Sequence, residues 1–79
     1  MDLVGNLSQL PLGKLAVISE ICGDLSVNQR LMTMGMIPGT EIRKVQVAPL
    51  GDPIAVEFKG QKISLRKTEA AGVFVDLKD

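Results

Sequence analysis

The stretch from Arg30 to Ile54, RLMTMGMIPGTEIRKVQVAPLGDPI, is the part of this chain that most restricts its fold. It predicts a helix that ends at a glycine, a Pro-Gly turn, a strand, and a hairpin loop bracketed by prolines. Glycine accepts the left-handed backbone that ends a helix, and proline presets φ for a turn. The predicted turn residues are Gly35, Pro38, Gly39, Pro49, Gly51 and Pro53. Backbone geometry and apolar side chains, without a nucleophile or a base, indicate a binding module.

Length and composition predict one small domain over residues 1–79 with an aliphatic core. The chain is 46% hydrophobic with a mean hydropathy of +0.24, and it has two Phe but no Trp or Tyr. A domain of this size buries roughly 60–65% of its unfolded surface, so part of the apolar content is expected at the outside. Exposed apolar surface favours a partner or self-association.

The charge balance argues against nucleic acid as a partner. Nine basic and nine acidic residues cancel, and stacking aromatics are scarce. Nucleic-acid modules combine a basic face with aromatic platforms. The sequence still allows a local basic patch, formed by Arg43, Lys44, Lys59, Lys62, Arg66 and Lys67.

A cytoplasmic location is expected. The single Cys22 cannot form an internal disulfide. The first residues, MDLVGNLSQLPLGK, lack the basic and apolar regions of a secretory signal. No apolar run approaches the roughly 20 residues that span a bilayer, so direct membrane insertion is not expected.

The first half of the chain predicts a strand followed by a helix. Leu7–Gly13 is interpreted as an entry turn, and the β-branched run from Leu15 to Ile21 as a strand. The helix is capped by Asp24 or Ser26, and Ser26 with Gln29 fits the S-x-x-Q capping box. Its apolar face is formed by Val27, Leu31 and Met34, before Gly35.

The second half predicts four more strands. In the strand from Thr40 to Ala48, Ile42 is out of phase with Val45, which indicates a β-bulge near Arg43-Lys44. The remaining elements are a strand with Ile54, Val56 and Phe58, a turn at Lys59–Gln61, a strand with Ile63 and Leu65, a helical turn at Lys67–Ala71, and a strand with Val73, Val75 and Leu77. The predicted class is mainly β, a small α+β fold. It is a five-stranded bent antiparallel barrel with one α-helix and a short helical turn before the last strand.

These residues resemble the FeoA family of ferrous iron transport proteins. The resemblance rests on LPLGK, MGMIPG, APLGDPI and LRKTEA in this order, and it covers nearly the whole chain. It implies an SH3-like barrel and a cytosolic accessory role for a membrane ferrous iron transporter with a GTP-binding domain. A similar barrel forms the C-terminal domain of iron-dependent repressors. The alternative function is therefore a weak transition-metal-binding regulatory module.

Catalytic and metal-site templates do not fit the sequence. Histidine is absent and Cys22 stands alone, so imidazole and a thiolate cage are both missing. Methionine thioethers prefer Cu(I) to ferrous iron. We expect no enzymatic activity, no cofactor and no metal site, beyond weak Fe²⁺ binding by carboxylates.

The predicted binding site is an apolar groove between the helix and the hairpin. Leu50, at the tip of a Pro-flanked loop, is interpreted either as a structural tip or as a recognition element. Met34 is expected to fill the core, with Met32 and Met36 nearer the surface as partner anchors. Arg30 and Arg43 are the predicted rim charges, although pairing with a carboxylate is the stronger interpretation for Arg30.

Overall fold

The structure is a computed structural model that describes residues 5–78. Six strands form one antiparallel sheet in the order β1-β6-β2-β3-β4-β5. The strands are β1 (Gly5–Asn6), β2 (Leu15–Ile21), β3 (Glu41–Val47), β4 (Ile54–Phe58), β5 (Gln61–Leu65) and β6 (Val73–Leu77). The helices are α1 (Leu25–Thr33), α2 (Lys67–Ala70) and a 3₁₀ turn (Leu7–Gln9).

The predicted class, mainly β with one α-helix and a short helical turn before the last strand, is confirmed. The five predicted strands correspond to β2–β6. The sixth strand, β1, has two residues and lies before the predicted entry turn. The prediction of a single domain includes residues 1–4 and 79, which lie outside the described residues, and it stays a prediction.

Helix α1 is capped by Asp24 and not through the Ser26–Gln29 capping box. The Asp24 carboxylate accepts hydrogen bonds from the Ser26 backbone N–H (2.9 Å) and the Ser26 hydroxyl (2.6 Å). These bonds stabilise the ionised form and hold the pKa of Asp24 below its ordinary value. The capping-box prediction was wrong because the Ser26 hydroxyl is a donor to Asp24.

The end of α1 follows the predicted glycine cap, but it buries Met36. Gly35 has φ of 99°. Its N–H donates to the Met32 carbonyl (3.0 Å), and the Met36 N–H donates to the Leu31 carbonyl (3.0 Å). This pair of bonds is the Schellman motif, which brings the residue after the glycine against the last turn of the helix. Leu31 and Met36 are both 0% exposed. The predicted surface position of Met36 was therefore wrong.

The predicted bulge in β3 lies at Val45, where the pairing with β4 shifts between Lys44 and Gln46. Lys44 is consequently buried, and its Nζ donates to the Ser8 carbonyl (3.0 Å). Burial, and secondarily the charge of Lys67, lowers the pKa of Lys44. Lys44 does not contribute to a surface basic patch.

The core lies on the inner face of the bent sheet. Alternate residues of β4, namely Ile54, Val56 and Phe58, are buried as predicted. They join a cluster closed by the 3₁₀ turn and the two helices. Its other members are Leu7, Leu10, Ala16, Ile18, Leu31, Met36, Ile42, Leu65, Ala70, Val73 and Val75.

Two methionines near the end of α1 provide a matched test of this packing. We expect Met36→Ala to lower the free energy of unfolding by about 2–5 kcal/mol, because it leaves a cavity in the core. Met32 is 43% exposed, so Met32→Ala should change it by only about 0.5 kcal/mol. Urea unfolding measures both values, and equal losses would contradict the burial of Met36.

Candidate functional site

A tightly held loop joins α1 to β3 and exposes an isoleucine. The Ile37 carbonyl accepts from the Thr40 N–H (3.1 Å), with Pro38 and Gly39 at the centre of the turn. Gly39 has φ of 93°, as a type II turn requires at that position. The loop is fastened to β2, because the Gly39 N–H donates to the Ile18 carbonyl (2.7 Å) and the Ile18 N–H donates to the Thr40 carbonyl (2.9 Å). The Ile37 side chain is nevertheless 41% exposed.

This loop and the β4–β5 turn form one continuous surface, which we call the loop–turn surface. Its residues are Ile37, Pro38, Gly39, Thr40, Glu41, Arg43, Glu57, Lys59 and Gly60. A pocket of about 520 Å³ is lined by the loop and Lys59, and a neighbouring pocket of about 290 Å³ is lined by Arg43, Glu57 and Lys59. Met32, also partly exposed, lies in the adjoining last turn of α1. The surface thus combines apolar centres with basic and acidic side chains.

Leu50 is exposed at the tip of a second ordered loop, as predicted. The Gly51 N–H donates to the Ala48 carbonyl (2.8 Å), which closes the turn. The loop is tied to α2, because the Asp52 carboxylate accepts from the Lys67 N–H (2.9 Å). The Leu50 side chain is 96% exposed and contributes little to the burial of the core.

The structure does not bring Leu50 and Met32 together in one groove. The Gln61 side-chain amide donates to the Met34 carbonyl (3.0 Å), so the end of α1 lies beside the β4–β5 turn. Leu50 belongs to the β3–β4 loop, at the opposite end of β4. The two residues therefore belong to separate regions, and the buried Met36 belongs to neither.

Sequence reasoning missed Ile37, and it named Lys59 only as a turn residue and as a member of a local basic patch. Ile37 could have been found, because an apolar residue before a Pro-Gly turn falls outside the apolar face of α1. The place of Lys59 in this surface could not have been predicted, because the residues beside it come from a loop that is distant in sequence. The carbons of its side chain cover Gly35, where an added Cβ would lie 3.6 Å from Lys59 Cδ.

The two predicted rim arginines have different surroundings. Arg30 forms an ion pair with Glu69, which confirms the interpretation that it pairs with a carboxylate. The same carboxylate accepts from the Arg66 N–H (2.9 Å), so this contact joins α1 to α2. Arg43 is exposed on β3 and lies opposite Glu57 of β4.

The potential metal donors of residues 5–78 are scattered over the surface. No group of three or more His, Cys, Asp or Glu residues in this range could hold an ion. The Cys22 thiol donates to a Glu20 carboxylate oxygen (2.9 Å). This hydrogen bond, followed by burial and the charge of Glu20, raises the pKa of Cys22. A protonated thiol is a poor ligand, because metals bind the thiolate.

The raised pKa of Cys22 can be tested by alkylation. We expect Glu20→Ala to lower the pKa and to speed the reaction with iodoacetamide at pH 8, because the variant loses the carboxylate that favours the thiol. The measurement is the alkylation rate of both proteins as a function of pH. The profile of the variant should be shifted to lower pH, because its thiolate forms at a lower pH. Identical profiles in the folded state would contradict the contact, and in urea the two profiles should coincide.

Within residues 5–78, no helix has the length and apolar character needed to cross a membrane.

Comparisons with known proteins agree on one family. The FeoA domain family matches residues 5–77. An Fe(2+) transport protein A/Fe(2+) transporter FeoB fusion protein of Porphyromonas gingivalis is 38% identical over 71 residues. That alignment covers 90% of this chain but only 8% of the fusion protein.

Solved structures extend the likeness to the fold. The FeoA protein of Chlorobium tepidum superposes with a TM-score of 0.86 at 35% identity, over 91% of this chain and 69% of that chain. FeoA of Stenotrophomonas maltophilia, solved with zinc and described as a prokaryotic SH3 domain protein, has a TM-score of 0.80 at 36% identity, over 90% and 88%. The predicted SH3-like fold is thereby confirmed. The manganese regulator SloR is similar in fold alone, with a TM-score of 0.80 at 11% identity.

Proposed function

This chain belongs to the FeoA family, and on that premise we propose that it is an accessory protein of ferrous iron transport that docks on the cytoplasmic side of the transporter FeoB. The observation that carries the proposal is the Porphyromonas gingivalis fusion protein. In that relative, a FeoA-like segment and FeoB are parts of one chain. Covalent joining gives two modules a high effective concentration, which is consistent with direct contact between them.

The loop–turn surface has the composition of a docking site. Ile37 and Met32 are partly exposed apolar side chains on a backbone already held by hydrogen bonds, so little conformational entropy is lost on binding. Lys59 lines the same pocket as Ile37, and Arg43 lines the neighbouring pocket together with Lys59. Apolar centres with charged rims are typical of protein interfaces, where the charges set orientation and association rate.

Leu50 supplies a second, separate contact in this proposal. An almost fully exposed leucine on an ordered loop can bury its side chain in a partner without refolding. Because Leu50 and Met32 lie toward opposite ends of β4, a partner that contacts both must extend along the molecule. The GTP-binding cytoplasmic domain that the family resemblance implies for the transporter is the proposed partner, and the proposed location of this chain is the cytoplasm.

Two Asp substitutions and one matched control test docking. We expect Ile37→Asp and Leu50→Asp each to weaken binding to the soluble cytoplasmic domain of the transporter by about tenfold or more, because a carboxylate replaces an apolar contact. The control is Leu25→Asp, since Leu25 is 70% exposed at the far end of α1. Titration of isotope-labelled protein, with and without a GTP analogue, measures the affinities and maps the surface.

The two contacts can be excluded separately. If a folded Ile37→Asp variant binds as tightly as wild type, the loop–turn surface is not part of the docking site. The same result for Leu50→Asp would exclude the Leu50 loop. Equal weakening by Leu25→Asp would show a nonspecific effect of added negative charge. If wild-type protein shows no shifts in either nucleotide state, the proposal for this domain of the transporter fails.

The second candidate is a weakly metal-binding regulatory module. One relative was solved with zinc. In this chain Cys22 and Glu20 are joined by a hydrogen bond, and no third donor among residues 5–78 completes a ligand set with them. We expect anaerobic equilibrium dialysis to give only weak Fe²⁺ binding that Glu20→Ala hardly changes, because isolated carboxylates are poor sites for transition metals. Tight, stoichiometric binding would favour the regulatory module instead.

A further inference from the structure

Strand β5 leaves part of its backbone without partners in the described part of the chain. The two-residue turn before it makes Phe58 and Gln61 a hydrogen-bonded pair, and such pairs alternate along an antiparallel ladder. Lys62 and Ser64 therefore direct their N–H and C=O groups away from β4. Within residues 5–78, β5 pairs with β4 alone, and no other hydrogen bond reaches these four groups. We call this side of β5 the open edge.

The segment that carries the open edge is basic, although the whole chain is neutral: Lys62 lies on β5, and Lys59, Arg66 and Lys67 flank the strand. Residues 59–67, KGQKISLRK, contain four cations and no acid. The ion pairs found within the described residues involve other cations, Arg30 and Lys78. Lys62 donates instead to the neutral Gln46 side chain (3.1 Å). Its cross-strand neighbour Glu57 forms no ion pair with it within the described residues.

The two faces of β5 differ in a way that an added strand would match. Ile63 is half-buried and packs against the core on the inner face. Lys62 and Ser64 lie on the outer face beside a shallow pocket of about 250 Å³ that Gln46 and Ala55 also line. A strand paired with β5 would place one side chain beside Ile63 and its neighbours beside Lys62 and Ser64, because side chains alternate with a period of two.

We propose that the open edge binds an extended acidic segment of a partner protein, which adds a seventh strand to the sheet. Main-chain hydrogen bonds to Lys62 and Ser64 supply affinity, an apolar side chain covers Ile63, and carboxylates alternate with it beside Lys62. This is strand addition at a sheet edge. The proposal does not depend on the loop–turn surface or on the transporter as partner.

Charge favours this occupant over a second copy of the chain. Two β5 edges brought together would place two segments of net positive charge side by side, which opposes their pairing. An acidic strand meets the same groups with attraction.

A designed peptide tests the proposal directly. The isotope-labelled full chain is titrated with acetyl-Glu-Val-Glu-Val-Glu-Thr-Glu-amide. We expect the amide signals of Lys62 and Ser64 to shift downfield and their hydrogen exchange to slow roughly tenfold. The same peptide N-methylated at alternate residues should bind roughly tenfold more weakly, because it cannot complete the ladder. A peptide with Lys in place of Glu should not bind.

Two variants and a control locate the contact. Ser64→Pro removes one outward N–H at a position where an edge strand tolerates proline, and Lys62→Glu reverses the charge. Both should weaken peptide binding roughly tenfold, whereas Lys14→Glu, on an exposed turn, should not. If Ser64→Pro does not fold, the N-methylated peptide still tests the hydrogen bonds.

The proposal is overturned if the acidic peptide does not bind, if the N-methylated peptide binds equally well, or if the shifts map to the loop–turn surface. Concentration-dependent self-association that protects Lys62 and Ser64 without peptide would assign the open edge to a second copy and would also overturn it.

Discussion

The two backbone hydrogen bonds between β2 and the α1–β3 loop, at Ile18, fix where the chain re-enters the sheet after helix α1. They hold Gly39 and Thr40 against β2, so the sheet sets the direction in which the chain leaves the last turn of α1. With that direction set, the glycine cap places Met36 inside and leaves Ile37 partly exposed. The same short loop therefore contributes to both the core and the candidate docking surface, because Met36 is buried and Ile37, the next residue, is partly exposed.

The remaining contacts hold the exposed parts in place without burying them. Glu69 links Arg30 to the start of α2, and Asp52 links the Leu50 loop to the same short helix. Helix α2 is only four residues long, so its stability depends on these contacts and on the buried Ala70. A small domain that presents Ile37 and Leu50 on loops held by hydrogen bonds would lose little conformational entropy on association, which is consistent with the proposed docking role.

Likeness in fold does not by itself show likeness in function. The regulator SloR shares the architecture, yet at 11% identity the likeness shows the fold alone. Within residues 5–78 of this chain, no three His, Cys, Asp or Glu side chains cluster as metal donors, and the Cys22 thiol donates a hydrogen bond to the Glu20 carboxylate. Function therefore has to be argued from surfaces. The surfaces on which the two proposals rest are the loops that expose Ile37 and Leu50 and the open edge of β5.

The amino-acid sequence by itself determined the elements whose causes are local. The left-handed glycine at 35, the type II turn at Pro38-Gly39, the alternation in β4 and the bulge near Lys44 all follow from φ preferences and from the phase of apolar residues, and the structure contains each of them. Leu50 as an exposed loop tip was predictable for the same reason. Only the tertiary structure decided the burial of Met36, the inward position of Lys44, the contact of Lys59 with Gly35 and the open edge of β5. Each of these depends on which distant segment lies alongside, and a chain position carries no signal of its neighbours across the sheet.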